Sequence, residues 1–156
     1  MDFRVVLTPW RLKYLQDIGR GGCFLCKAAS EHNDDENLIP ARGEKAFVIL
    51  NKYPYTWGHV MVAPYRHISQ FEELEAGEWV EIIQLAREIT EAVKKVTGAQ
   101  RLVTGLNVGR AAGAGLEGHL HLHIIPLDTE VGEREDLHKS LVELTRELRR
   151  CLERSA

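Results

Sequence analysis

His119-Leu120-His121-Leu122-His123 alternates imidazole with leucine, and Ile124-Ile125-Pro126 follows. Strict alternation has the period of a strand, so the three imidazoles are expected on one face and Leu120, Leu122 and Ile124 on the other. One face is left for chemistry and the other for a core. At about 3.3 Å per residue, His119 and His123 stand roughly 13 Å apart along such a strand, so one metal ion cannot hold all three rings. The rings must divide their labour. Three of the chain's seven histidines in alternation, beside the glycine-rich Gly105-to-Gly118 region, mark a functional site rather than three core-satisfied side chains.

The 156 residues, 44% of them hydrophobic, suit one ordinary domain with a real core. Residues 1–22 read as an N-terminal extension, 23–127 as the core and 128–156 as a helical tail. The net charge of −3 is interspersed, with no Lys/Arg run to trace a nucleic-acid polymer; a nucleotide held by a few local contacts stays open. The first residues lack a signal-peptide apolar stretch, and no apolar run approaches the ~20 residues of a membrane span. The expected location is cytoplasmic. In a reducing compartment the pair Cys23-Phe24-Leu25-Cys26 points to metal binding or redox chemistry rather than a disulfide framework.

Along the chain, Pro9 to Leu15 has the pattern of a short helix, with Trp10, Tyr14 and Ile18 on one side and Gly19 and Gly21-Gly22 as its stop. Ser30 to Asn37 reads as a polar surface loop. Ala46–Leu50 and Gly58–Ala63 are strand-like runs, most simply an antiparallel pair, and His67 lies on a loop after Pro64. Beside Cys23, Cys26 and His119, His67 supplies a fourth donor of the right kind for a Cys₂His₂ set. Trp79, Ile82, Ile83, Ala86, Ile89, Val93 and Val96 recur at helical spacing before Gly98, a stripe expected to pack on the sheet. Residues 101–108 form the next strand, followed by the small-residue turn Gly109 to Gly115, whose backbone N–H groups can approach an anion. Leu137, Leu141, Leu144, Leu148, Cys151 and Leu152 mark a final amphipathic helix, with Cys151 as a small hydrophobe on its apolar stripe.

The runs Phe47 to Pro54, Gly58 to Pro64, His67, Asn107-Val108-Gly109 and His119 to Pro126 together resemble the histidine triad nucleotide-binding family. They are most similar to its branch of diadenosine tetraphosphate phosphorylases and hydrolases. The resemblance implies an α+β fold with an antiparallel sheet of about five strands, a long packed helix and a C-terminal helix, assembled as a homodimer. It also implies attack on a nucleotide's α-phosphate by His121, giving a nucleotidyl-histidine that water or another acceptor resolves. His123 would donate to a phosphate oxygen and His59 complete the network, while a backbone carbonyl would fix the tautomer of the attacking ring. Asn51 takes the ribose-binding position; Asn107, Gly109 and Gly115 take the phosphate side. In members with the C-x-x-C pair, Cys23, Cys26, His67 and His119 enclose a structural Zn²⁺ with no open position.

Two departures stand out. Ala114-Gly115-Leu116 replaces the family's Gly-Gln-Ser/Thr segment, removing a hydroxyl that helps protonate the leaving group. Leu127-Asp128-Thr129-Glu130 replaces the branch's Arg-Trp continuation, and Asp128 and Glu130 would repel extra phosphates if they faced the site. The expected activity is a nucleotidyl hydrolase or transferase on adenosine-type nucleotides. A phosphorylase using phosphate as acceptor is the alternative within that class; a non-catalytic, zinc-stabilised nucleotide-binding module is the alternative outside it, with a Cys23/Cys26 redox protein third.

Overall fold

A computed structural model of the chain describes residues 8–17, 21–109 and 118–156. Its strands in chain order are β1 (Ala41–Arg42), β2 (Ala46–Leu50), β3 (Val60–Pro64), β4 (Leu102–Leu106) and β5 (Leu122–Pro126); its α-helices are α1 (Arg11–Asp17), α2 (Phe24–Ser30), α3 (Ala76–Thr97) and α4 (Leu137–Ser155). The strands form one sheet in the order β1-β2-β3-β5-β4, each neighbouring pair antiparallel. The α+β expectation therefore holds, with the long helix and the C-terminal helix where periodicity put them.

Alternation sorts the strands between two cores. Val48, Leu50, Val60, Val62, Leu122 and Ile124 face one side, where Ile82, Ala86, Ile89 and Val93 of α3 and Leu141, Leu144 and Leu148 of α4 cover them. Phe47, Ile49, Met61 and Ala63 face the other side, against Leu25 and Ala28 of α2 and Ile39. Complete burial of a side chain such as Ile124 contributes about 1.5–3 kcal/mol, so these apolar faces fix the register of β5. Met61 stands opposite His123 in that register, which puts the His123 ring on the α2 side. Gly58 turns the chain into β3 at φ +91°, and a Cβ there would meet Thr97 Cγ2 at 3.1 Å. Gly98, in the left-handed conformation, closes α3.

Two readings need correction, and the surface loop after α2 gains a role. The histidine strand starts only at Leu122, so His123 alone of the three rings lies on it, and both His121 and His119 precede it. Tertiary bonds displace His119: the Leu120 N–H donates to Ile68 O, and His119 Nε2 lies 2.8 Å from Pro64 O. Ile83 lies off the packed stripe of α3 and is 47% exposed. The loop after α2 does more than connect, because Asp35 accepts from Arg146 and Arg149 of α4 while Asp34 holds Arg42. Cys151 packs, half-buried, against the α3–α4 core. At the other end, the Trp10 indole N–H donates to Pro54 O, which locates one aromatic of the N-terminal helix; Ile18, Gly19 and the Tyr14 side chain lie outside the described residues. No helix among the described residues is long and apolar enough to cross a membrane.

Candidate active site and metal centre

Backbone partners decide the protonation of each ring. His121 Nδ1 is 2.8 Å from His119 O, and a carbonyl can only accept, so Nδ1 carries the proton and Nε2 keeps its lone pair. The Tyr55 N–H donates to His59 Nδ1, so His59 has its proton on Nε2, 2.9 Å from His123 Nδ1. His59 therefore donates to His123, and the proton of His123 sits on Nε2. The His121 and His123 rings are 4.6 Å apart between centroids. The result is a nucleophilic nitrogen beside a hydrogen-bond donor, both on neutral imidazoles.

Burial enforces that neutrality. It holds His59 well below the ordinary histidine value, aided by His123 and Arg11, and it lowers His121 despite the opposing pull of the His119 carbonyl. His123 is lowered to about 4, first by burial and then by His121 and Arg11. Linkage gives the sign of the stability effect. The unfolded chain binds protons near the ordinary value of about 6.5, while folded His123 resists them until about 4, so stability present above 6.5 is lost as pH falls through this window. Between pH 7 and 5 the loss from His123 alone is expected to be about 2 kcal/mol. Thermal melts of the native chain and His123→Gln check this: the variant should show the shallower pH slope, and parallel slopes would refute it.

Cys23, Cys26, His67 and His119 form a second cluster, their donor atoms all within 4.8 Å of one another. Cys23 Sγ and Cys26 Sγ lie 3.3 and 3.4 Å from His119 Nδ1, and Cys26 Sγ lies 3.3 Å from His67 Nδ1. The Pro64 carbonyl accepts a hydrogen bond from His119 Nε2–H, leaving the Nδ1 lone pair directed at the thiols. Burial, then the neighbouring Cys23, pushes the Cys26 thiol up, a shift that a divalent cation between the two would reverse. Three separate elements deliver these donors. Cys23 caps α2, its sulfur accepting from the Cys26 N–H; His67 follows Arg66, whose guanidinium pairs in bidentate fashion with the buried Glu78 of α3. His119 belongs to both clusters, with Nδ1 in the metal set and its carbonyl on His121.

The remaining expected residues are less uniform. Asn51 is half-buried, and its Oδ1 accepts from the Tyr53 N–H, so part of its polar capacity shapes the loop. Asn107 is exposed, and Gly109 adopts φ +77°. Gly115 and the whole segment from Arg110 to Glu117 lie outside the described residues. Asp128 is engaged elsewhere, accepting from the Gln100 and Arg101 N–H groups. Residue types did not reveal Tyr55, Pro64 and the His119 carbonyl as the groups that set tautomers, because each acts through its backbone.

The HIT domain family model matches residues 34–130. The AP-4-A phosphorylase of Mycobacterium tuberculosis is 35% identical over an alignment of 127 residues that covers 76% of this chain and 65% of that protein. The chain thus matches just under two thirds of that relative's length. Among solved structures, a hypothetical histidine triad nucleotide-binding protein from Sulfolobus tokodaii superposes with a TM-score of 0.69 at 26% identity, covering 85% of this chain and 95% of that one. A Zn-bound histidine triad family protein from Mycobacterium smegmatis gives a TM-score of 0.68 at 21% identity, covering 86% and 95%. The latter likeness bears on the fold.

Proposed function

The chain belongs to the HIT domain, or histidine triad, family, and from that premise we propose that it cleaves adenosine-type nucleotides at the α-phosphate through a nucleotidyl-histidine intermediate. The observation that carries this reading is the pair of opposed tautomers, His121 with its lone pair on Nε2 and His123 with its proton there. His121 Nε2 attacks the α-phosphorus; the P–N bond forms as the P–O bond to the leaving group breaks, and the electron pair departs with that oxygen. The Nδ1–H to His119 O bond stabilises the charge that the phosphorylated ring acquires. His123 Nε2–H donates to a non-bridging oxygen, and the bond from His59 holds its ring in that tautomer. An incoming oxygen then attacks phosphorus, the P–N electrons return to the ring, and the acceptor's proton is lost to solvent. Asn51, Asn107, Gly109 and Gly115 are the proposed nucleotide contacts.

The second cluster fits zinc by its donors. Zn–S bonds of about 2.3 Å and Zn–N bonds of about 2.0–2.1 Å at tetrahedral angles separate S and N donors by about 3.6 Å, near the 3.3 and 3.4 Å found. Cys23, Cys26, His67 and His119 would hold the ion with no open position, so its contribution is to tie the α2 segment to the strand approach that carries His121. A homodimer and a cytoplasmic location belong to the same reading. Exposed Val103 on β4, at the end of the sheet order, and the three unbridged cysteines are in keeping with them.

The acceptor has two readings, water or phosphate, and the mycobacterial relative named AP-4-A phosphorylase favours the second. The test is turnover of diadenosine tetraphosphate with and without added phosphate. Nucleoside diphosphate formed only with phosphate establishes a phosphorylase, and monophosphate formed without it establishes a hydrolase. Absence of both products defeats the catalytic reading for this substrate and leaves the nucleotide-binding module.

A further inference from the structure

Arg11 opens α1, outside the 34–130 segment matched by the family model. Two bonds lay the start of that helix across the loop before His59: Trp10 Nε1–H to Pro54 O at 2.7 Å and Arg11 Nη1–H to Tyr53 O at 2.6 Å. The Arg11 guanidinium lies over the Tyr55 ring, 3.7 Å from its centroid. Tyr55 in turn stacks on His59 at 5.4 Å, and His59 meets His123 at 5.1 Å. A continuous series of planar groups therefore runs from the N-terminal helix to the proposed phosphate donor. The charge reaches equally far, since Arg11 contributes to lowering both His59 and His123.

A permanent cation at this place has a physical consequence. The buried imidazoles are neutral and cannot balance a polyphosphate, whereas a guanidinium stays charged and matches phosphate oxygens in geometry. Its bond to Tyr53 O and its stacking on Tyr55 set its plane in advance, so little rotamer freedom remains to be lost when an anion arrives. When the P–O bond breaks, the departing phosphate gains a negative charge, which such a group offsets.

Resting on the α-phosphate reading above, we propose that Arg11 recognises the phosphates beyond the scissile one, making this site selective for nucleotides whose leaving group is itself a phosphate. Amines and other neutral leaving groups gain nothing from it. The side chain is thus a specificity residue supplied by the N-terminal segment rather than by the matched family region.

The experiment compares equilibrium binding of AMP and of the non-cleavable α,β-methylene analogue of ATP, in magnesium-free buffer, to the full chain and to Arg11→Gln and Arg11→Lys. Arg11→Gln is expected to weaken the triphosphate analogue about 10- to 100-fold and AMP by less than about threefold, with Arg11→Lys, which keeps the charge but not the planar fork, recovering only part of the difference. Equal losses for the two ligands would mean that Arg11 only docks α1, and unchanged affinities would mean that it does not meet the phosphates; either overturns the proposal. Because binding is read without turnover, a selective loss in a chain that cleaves nothing would sink the reaction and leave the polyphosphate site standing.

Discussion

Replacing His121 with alanine is expected to lower turnover of an adenylyl donor by at least about 10⁴-fold while changing nucleotide affinity little. Among the rings of His59, His121 and His123, the variant removes the one whose unprotonated nitrogen is not taken up by a donor among the described residues. His123 does not substitute for it, because its Nδ1 accepts from His59 and its Nε2 carries the proton. Nor does His59, whose Nδ1 is occupied by the Tyr55 N–H. Affinity survives because the ring is 7% exposed and offers a ligand little area beyond the attacking atom. Acid-quenched single-turnover reactions with labelled nucleotide provide the measurement: the native chain should accumulate a covalent nucleotidyl adduct, and the variant none. Residual turnover within about tenfold of native, or an adduct that persists in the variant, would assign the nucleophile elsewhere.

The sequence made the side-by-side placement of His121 and His123 legible because residues two apart in extended chain lie on one side, and the rings are 4.6 Å apart although His121 stands just before the strand. It did not reveal where that strand begins. His119 carries the same alternation, yet Pro64 O and the metal-type cluster claim its ring, and periodicity holds no information about such long-range partners. The Cys₂His₂ set was readable by residue type, since two thiols three apart and two histidines match one coordination chemistry. What holds His67 near the other three was not readable: the Arg66–Glu78 pair joins residues twelve apart through a buried carboxylate that an amphipathic pattern assigns merely to a helix start. Asp35 likewise looked like loop polarity and proved to anchor α4 through Arg146 and Arg149. Tautomers were the least legible feature, because the groups that fix them are carbonyls and N–H groups that every residue possesses. Arg11 shows the same limit, as its place near the site depends on how α1 docks on the loop and leaves no periodic trace.

Stripping the metal, or changing Cys23 to serine, is expected to lower the thermal midpoint by roughly 10 °C, the size produced by losing a ligand held at about a thousand times its dissociation constant. Serine is the informative replacement. Cys23 is the N-cap of α2 and accepts from the Cys26 N–H; a serine oxygen can keep that cap, so the loss reports coordination rather than helix capping. Chemistry should suffer less than stability, though not zero, because one residue serves both clusters. His119 offers Nδ1 to the metal set, while its carbonyl orients the proton of His121. Loosening the first contact loosens the second, and a drop in kcat of about 10- to 100-fold with little change in KM is the expected signature. Metal analysis alongside melting curves and kinetics separates the possibilities. One zinc per native chain, well under one in Cys23→Ser, and a kcat loss that tracks metal content would tie the ion to the nucleophile's alignment. Native chain that carries no metal and melts unchanged with a chelator would make the four donors an idle pair of thiols and imidazoles, leaving the Pro64 and His121 bonds alone to hold His119 in place.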